Sequence, residues 1–129
     1  MKKMILVMFV MVMGIIGMRG ERYYYQASGF SFNEGSGWSP IERSEVMMVL
    51  DTDDWCFFIN SKSQQFFMLG DRTFNGYDND GDYIQSYNFI DNENIRGELK
   101  FVRRNGMKRN EIYIVYRNLM LSYIVNRVE

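Results

Sequence analysis

Apolar and polar residues alternate with a period of two along much of this chain, which is the spacing of half-buried strands rather than helices. The clearest block runs from Ile95 to Tyr116. Asn105-Gly106 lies at its centre, and this dipeptide favours a two-residue type I′ hairpin turn because both positions tolerate positive φ. Folding there puts Leu99 opposite Ile112, Gly97 opposite Ile114 and Ile95 opposite Tyr116 on one mostly apolar face. The other face sets Lys100 against Glu111, Glu98 against Tyr113 and Arg96 against Val115, with an ion pair directly across the strands. A second tight turn at Arg117-Asn118 sets Ile114 against Leu121 and Ile112 against Tyr123. Two turns placed independently therefore extend the same apolar face, and they predict a three-stranded meander at the C-terminus.

Upstream, Ile41 to Leu50 reads as a strand, with Val46, Met48 and Leu50 in phase, and Asp51 to Asp54 as a polar turn. Trp55 to Asn60 and Gln64 to Leu69 form a hairpin through Ser61-Lys62-Ser63. Its phenylalanines fall on both faces, so both faces are expected to be covered. Gly70 to Gly81 reads as turn, Asp82 to Ile90 as a strand with Tyr83, Tyr87 and Phe89 in phase, and Asp91 to Asn94 as the turn into the central hairpin. Glu21 to Pro40 reads as an irregular aromatic lead-in in which Tyr23-Tyr24-Tyr25 and Phe30-Ser31-Phe32 can contribute a first short strand, with Gly29, Gly35 and Gly37 breaking any longer element, ending in an entry turn at Trp38-Ser39-Pro40. The pattern predicts an all-β fold: an antiparallel up-and-down meander of about seven to eight strands forming a barrel or half-open barrel. A two-sheet sandwich is the alternative.

The first twenty residues follow a different rule. Lys2-Lys3 precede Met4 to Met18, an uncharged apolar run. A basic start and an apolar centre mark a secretory signal, here a helix cleaved near Gly20. The run is short of the roughly 20 residues a bilayer span needs. The organisation expected is a signal over 1–20, the lead-in over 21–40 and a single β-domain over 41–129, with the mature protein periplasmic or extracellular and holding no stable membrane span.

Charge is divided along the chain. Residues 51–93 hold nine acids against two bases, and residues 94–129 hold eight bases against three acids. Such a division gives a dipolar surface if the fold keeps the halves apart. The one cysteine, Cys56, sits in an apolar run and reads as a small buried hydrophobe. Histidine is absent, which removes the commonest general base and the commonest transition-metal ligand. Enzyme chemistry is thereby disfavoured, although Asp51, Asp53 and Asp54 could join another acidic loop in a carboxylate-dependent hydrolase.

Two stretches carry candidate sites. Asp78, Asp80 and Asp82, spaced by two within Asp78-Asn79-Asp80-Gly81-Asp82, offer hard oxygen ligands to calcium, the one cofactor considered. The spacing departs from an EF-hand, because Tyr83 and Phe89 stand where that motif needs Gly and an acid. Arg103, Arg104, Lys108 and Arg109 flank the central turn and form a finger suited to an anion or acidic glycan. Nucleic acid is not expected, since no recognisable nucleic-acid module accompanies the patch. The mature chain also holds 20 aromatic residues. Tyr23 to Tyr25 and Trp38 lie outside clear strands, where they can stack on sugars or line a barrel mouth.

Trp38-Ser39-Pro40 before a strand ending at Asp51, Ile59 to Ser63 leading to Gln65-Phe66, Asp91 before an Ile95 to Val102 strand, and Ile112 to Tyr116 followed by Tyr123 make a loose overall pattern. In these features the chain resembles a group of short exported β-proteins of gut Bacteroidetes. That resemblance implies a small barrel in the envelope or outside the cell, and it brings no activity and no functional residue with it. The reading that follows is an exported, non-catalytic binding or interaction module for an envelope protein or glycan. A small apolar-ligand carrier with a calycin-like barrel is the alternative, and a hydrolase the third choice.

Overall fold

A computed structural model of the protein describes residues 21–61, 64–106 and 109–128. The expected signal over residues 1–20, residues 62 and 63 of the expected Ser61–Ser63 link, and Lys108 lie outside the described residues. Among those described, the strands are β1 (Arg22–Asn33), β2 (Glu42–Arg43), β3 (Met47–Asp51), β4 (Cys56–Asn60), β5 (Gln65–Tyr77), β6 (Tyr83–Asp91), β7 (Arg96–Arg103), β8 (Asn110–Val115) and β9 (Met120–Val128). From β3 to β9 each strand pairs antiparallel with the next, and β1 joins β3 to β9. The result is a closed eight-stranded meander barrel, with β2 a short extra pairing on β1. Closure removes the edges at which an open sheet would aggregate.

The interior follows from alternation. Met48, Phe57, Ile59, Phe67, Phe89, Leu99, Ile112, Ile114 and Val125 all point inward and are essentially fully buried. Eight strands enclose a space just wide enough for side chains to fill, and large aromatics fill it here. The Phe67 and Phe89 rings meet edge-on at 4.9 Å, and Phe57 meets Phe101 edge-on at 5.8 Å. Gly97 is required by this packing. A Cβ there would stand 2.4 Å from Phe89 Cζ and 2.6 Å from the Val115 carbonyl oxygen.

Four expectations need correction. The stretch read as an irregular lead-in is β1, the strand that closes the barrel. Its Gly29 does not break it: a bulge at Ser28, between the pairs Val125–Ala27 and Ile124–Gly29, keeps both flanking segments in the sheet. Opposite that bulge the strand expected over Ile41–Leu50 is interrupted. It survives only as β2 and β3, with Val46 carbonyl accepting from the Ala27 amide across the gap. The third correction is β5, which runs on through Gly70 and Gly76 to Tyr77, its pairing with β6 shifting at Leu69–Arg72 and Arg72–Phe74.

The fourth concerns the central hairpin. Leu99 pairs with Ile114, Phe101 with Ile112 and Lys100 with Tyr113, two residues away from the expected register. A shift of two preserves the faces, so Leu99, Ile112 and Ile114 remain inside. The expected Lys100–Glu111 pair is absent, and Lys100 instead lies 3.7 Å from Glu98. The reason is at the turn. Gly106 takes positive φ but Asn105 does not, so a type I′ turn does not form. The Asn105 amide donates to Asp82 Oδ1 at 2.7 Å and its side chain donates to the Asp80 carbonyl, holding the residue in a longer loop. The second turn behaves as expected: Ile114 faces Leu121, Ile112 faces Tyr123, and the Tyr116 amide donates to the Leu119 carbonyl.

Candidate functional site

The β7–β8 loop and the β5–β6 loop meet through Arg104. Its Nη1 donates to Asp82 Oδ2 at 2.7 Å, its Nε to Glu111 Oε1 at 2.8 Å and its Nη2 to the Tyr113 hydroxyl at 2.8 Å. Arg109 holds the other Glu111 oxygen, with its Nη2 at 2.6 Å. The Tyr113 hydroxyl itself donates to Glu111 Oε1. Glu111 points outward from the barrel wall yet is buried under these groups. Burial alone would push its carboxyl up, but the hydrogen bonds from Tyr113, Arg104 and Arg109 outweigh it and hold the group below the usual carboxylate range. The Asn105 amide and then Arg104 depress Asp82 in the same sense. Arg104, hydrogen-bonded first to Glu111, is shifted upward and stays charged.

These contacts locate the two predicted sites. Carboxylate oxygens of Asp78, Asp80 and Asp82 do come together, within 4.8 Å of one another. Asp78 Oδ1 accepts from the amides of Asp80 and Asp82, so it caps its own loop. Both Asp82 oxygens are engaged by Arg104 and the Asn105 amide. A guanidinium thus supplies a positive charge beside the loop. Of the four basic residues expected to form a finger, Arg104 and Arg109 turn back onto Glu111, and Arg103 lies on the other side of the wall with its guanidinium 5.3 Å from the Tyr83 ring centre. The acidic and basic stretches are therefore in contact at Asp82–Arg104. Asp51 is buried and structural: it caps the Asp53 and Asp54 amides and accepts from Arg22. Cys56 is buried beside it, and burial pushes its thiol up.

Beside the arginine cluster lies a groove of about 460 Å³ on the outer wall. Its floor comes from sheet register, which aligns Tyr113, Ser122 and Ser31 as one outward-facing row. Two small residues in that row leave a trough between taller neighbours. One wall is the segment Trp38–Ile41, the other is Arg104, Arg109 and Glu111. The first wall is anchored: the Ser31 hydroxyl donates to the Ser39 carbonyl at 2.6 Å, and the Ser39 hydroxyl accepts from the Phe32 amide at 2.9 Å. Trp38 stands edge-on to Tyr113, ring centres 5.8 Å apart, with 45% of its surface exposed. The trough combines an accessible indole, serine hydroxyls and a guanidinium–carboxylate cluster.

Sequence reasoning singled out Trp38, Arg104 and Arg109 but not Tyr113, Ser122 or Ser31. The register of the Arg117-Asn118 turn already sets Tyr113 beside Ser122, but Ser31 joins the row only because β1 closes the barrel against β9. No protein-family model matches the chain, and neither do curated proteins nor solved structures.

Proposed function

We propose that this chain is an exported, non-catalytic binding module whose outer-wall groove takes a saccharide. The observation that carries the reading is Trp38, half-exposed and held edge-on against Tyr113 beside the Arg109–Glu111 pair. Sugar rings present apolar C–H faces and hydroxyl rims. An accessible indole meets the face, and the partly exposed guanidinium of Arg109, held in place by buried Glu111, donates to the rim. Pockets of a few hundred cubic ångströms with convergent polar groups are the common form of such sites. Export rests on the sequence of the first twenty residues, and an envelope or extracellular glycan is the partner that location favours.

The carrier reading draws less support, because inward-facing aromatics occupy the barrel interior. The hydrolase reading draws less support, since Asp51, Asp82 and Glu111 are each committed to internal partners. The basic finger contributes Arg104 and Arg109 to the groove wall rather than a free anion patch. The test is a panel of immobilised glycans probed with the wild-type protein and with Trp38→Ala. Retention of at least one glycan by the wild type and its loss in the variant supports the reading. Absence of retention, or equal retention by the variant, overturns it.

A further inference from the structure

We propose that the open end of the barrel, between Arg103 and Arg127, is a second binding site, for a small organic carboxylate carrying one apolar ring or short chain. The site is separate from the outer-wall groove and does not depend on it.

Register places the groups. Arg103 pairs with Asn110 and Tyr83, and Arg127 pairs with Tyr25. By alternation both arginines share the inward phase of Phe101, Ile112 and Val125, which lie deeper in the barrel. At Arg103, the last residue of β7, and Arg127, the last but one of β9, this inward phase opens into a hollow of about 240 Å³. Its accessible apolar lining is Phe101 and Tyr25, with Ile112 and Val125 packed beneath them, and its rim includes both arginines and Gln85. An apolar floor under converging polar groups is the general form of a small-molecule site.

The rim carries two guanidinium groups. Among the described residues, neither arginine has a carboxylate within salt-bridge distance. Each lies instead over a tyrosine ring, Arg103 at 5.3 Å from the centre of Tyr83 and Arg127 at 4.5 Å from that of Tyr23. Stacking holds a guanidinium plane while leaving its edge donors free, and those donors match a carboxylate in fork geometry. Among the described residues the one acid that lines the hollow, Glu111, belongs to the outer side of the wall and is tied to Arg104 and Arg109. A ligand therefore needs a negative head for the rim and an apolar body for the floor. The volume limits that body, being below the roughly 300 Å³ at which drug-sized pockets begin.

The experiment uses the purified full chain and three probes: phenylacetate, 2-phenylethanol with the same body and no charge, and acetate with the charge and no body. Binding is followed by calorimetry and by NMR shifts of side chains. The proposal expects phenylacetate to bind at least about tenfold more tightly than either control, with shifts at Tyr25, Phe101 and Ile112. Arg103→Gln/Arg127→Gln, both at exposed positions, is expected to remove that preference while the melting temperature holds, and Arg109→Gln to leave it intact. No binding of phenylacetate up to roughly 10 mM, equal binding of the uncharged probe, full affinity in the double variant, or shifts confined to Trp38 and Tyr113 would each overturn it.

Discussion

Arg104 and Asp82, 22 residues apart in the chain, are joined by a guanidinium–carboxylate contact of 2.7 Å. The contact ties the β5–β6 loop to the β7–β8 loop, and through Glu111 it fixes the arginine wall of the outer groove. Replacing Arg104 by Gln leaves the buried Glu111 carboxylate with a single cationic partner. Loss of one member of a buried pair costs about 3–5 kcal/mol, which partial exposure of Arg104 reduces to about 2 kcal/mol. For a domain of this size that corresponds to a fall in Tm on the order of 10 °C. Arg109→Gln breaks a more exposed, single partnership and is expected to cost under about 1 kcal/mol. Thermal melts of the two variants check the order; equal losses would contradict it.

Acid is expected to destabilise the protein through its carboxylates. Glu111, Asp82, Asp51 and Asp91 are all held below their ordinary values by hydrogen bonds that outweigh any cost of burial. A group with a lowered folded-state pKa contributes stability that is fully present above the unfolded value, about 4, and is lost as pH falls through the folded value. With no histidine in the chain, stability should change little from about pH 7 to 5 and fall steeply below about pH 4. Glu111→Gln should flatten that acid limb in urea melts taken across the range. An unchanged slope would show that Glu111 does not carry it.

Gly97 tests the core. A methyl group at this position overlaps the Phe89 ring and the Val115 carbonyl oxygen, so Gly97→Ala is expected to cost about 2 kcal/mol as an overpacking change. Phe89→Leu frees the ring's space, so the double variant should lose less than the two single changes combined. Additive losses in denaturant titrations would mean that the two residues do not compete.

Calcium is expected to leave the melting temperature unchanged. Asp82 spends both oxygens on Arg104 and Asn105, and Asp78 spends one on its own loop. An ion would compete with a guanidinium already in contact with Asp82. A calcium-dependent rise in Tm that Asp80→Asn abolishes would show that the loop binds the ion after all, since a ligand selective for the folded state must stabilise it.

The fold was legible where local and non-local signals agreed. Ile112, Ile114, Leu121 and Tyr123 sit in the register their turn residues imply. At Asn105-Gly106 local turn chemistry lost to a tertiary contact, because Asp82 captures the Asn105 amide. No property of the hairpin's own residues announces that. The lead-in was misread for a similar reason: Gly29 lacks a side chain because Ile41 and Ile124 pack over it, with Cβ-to-atom distances of 3.0 and 3.1 Å, and not because the strand stops. As for the groove, Trp38 was recognisable as an unplaced aromatic. Its neighbours Ser31 and Ser122 were not, since two serines 91 residues apart become adjacent only when β1 pairs with β9.

The saccharide reading meets its most direct test in the indole N–H signals of the two tryptophans. Trp38 faces the groove, whereas the Trp55 indole donates to the Gly70 carbonyl at 3.0 Å and serves as an internal reference. Titration with a glycan retained by the protein should shift the Trp38 signal in a saturable manner and leave that of Trp55 in place. A Trp38 signal that stays fixed while the glycan binds would contradict the account.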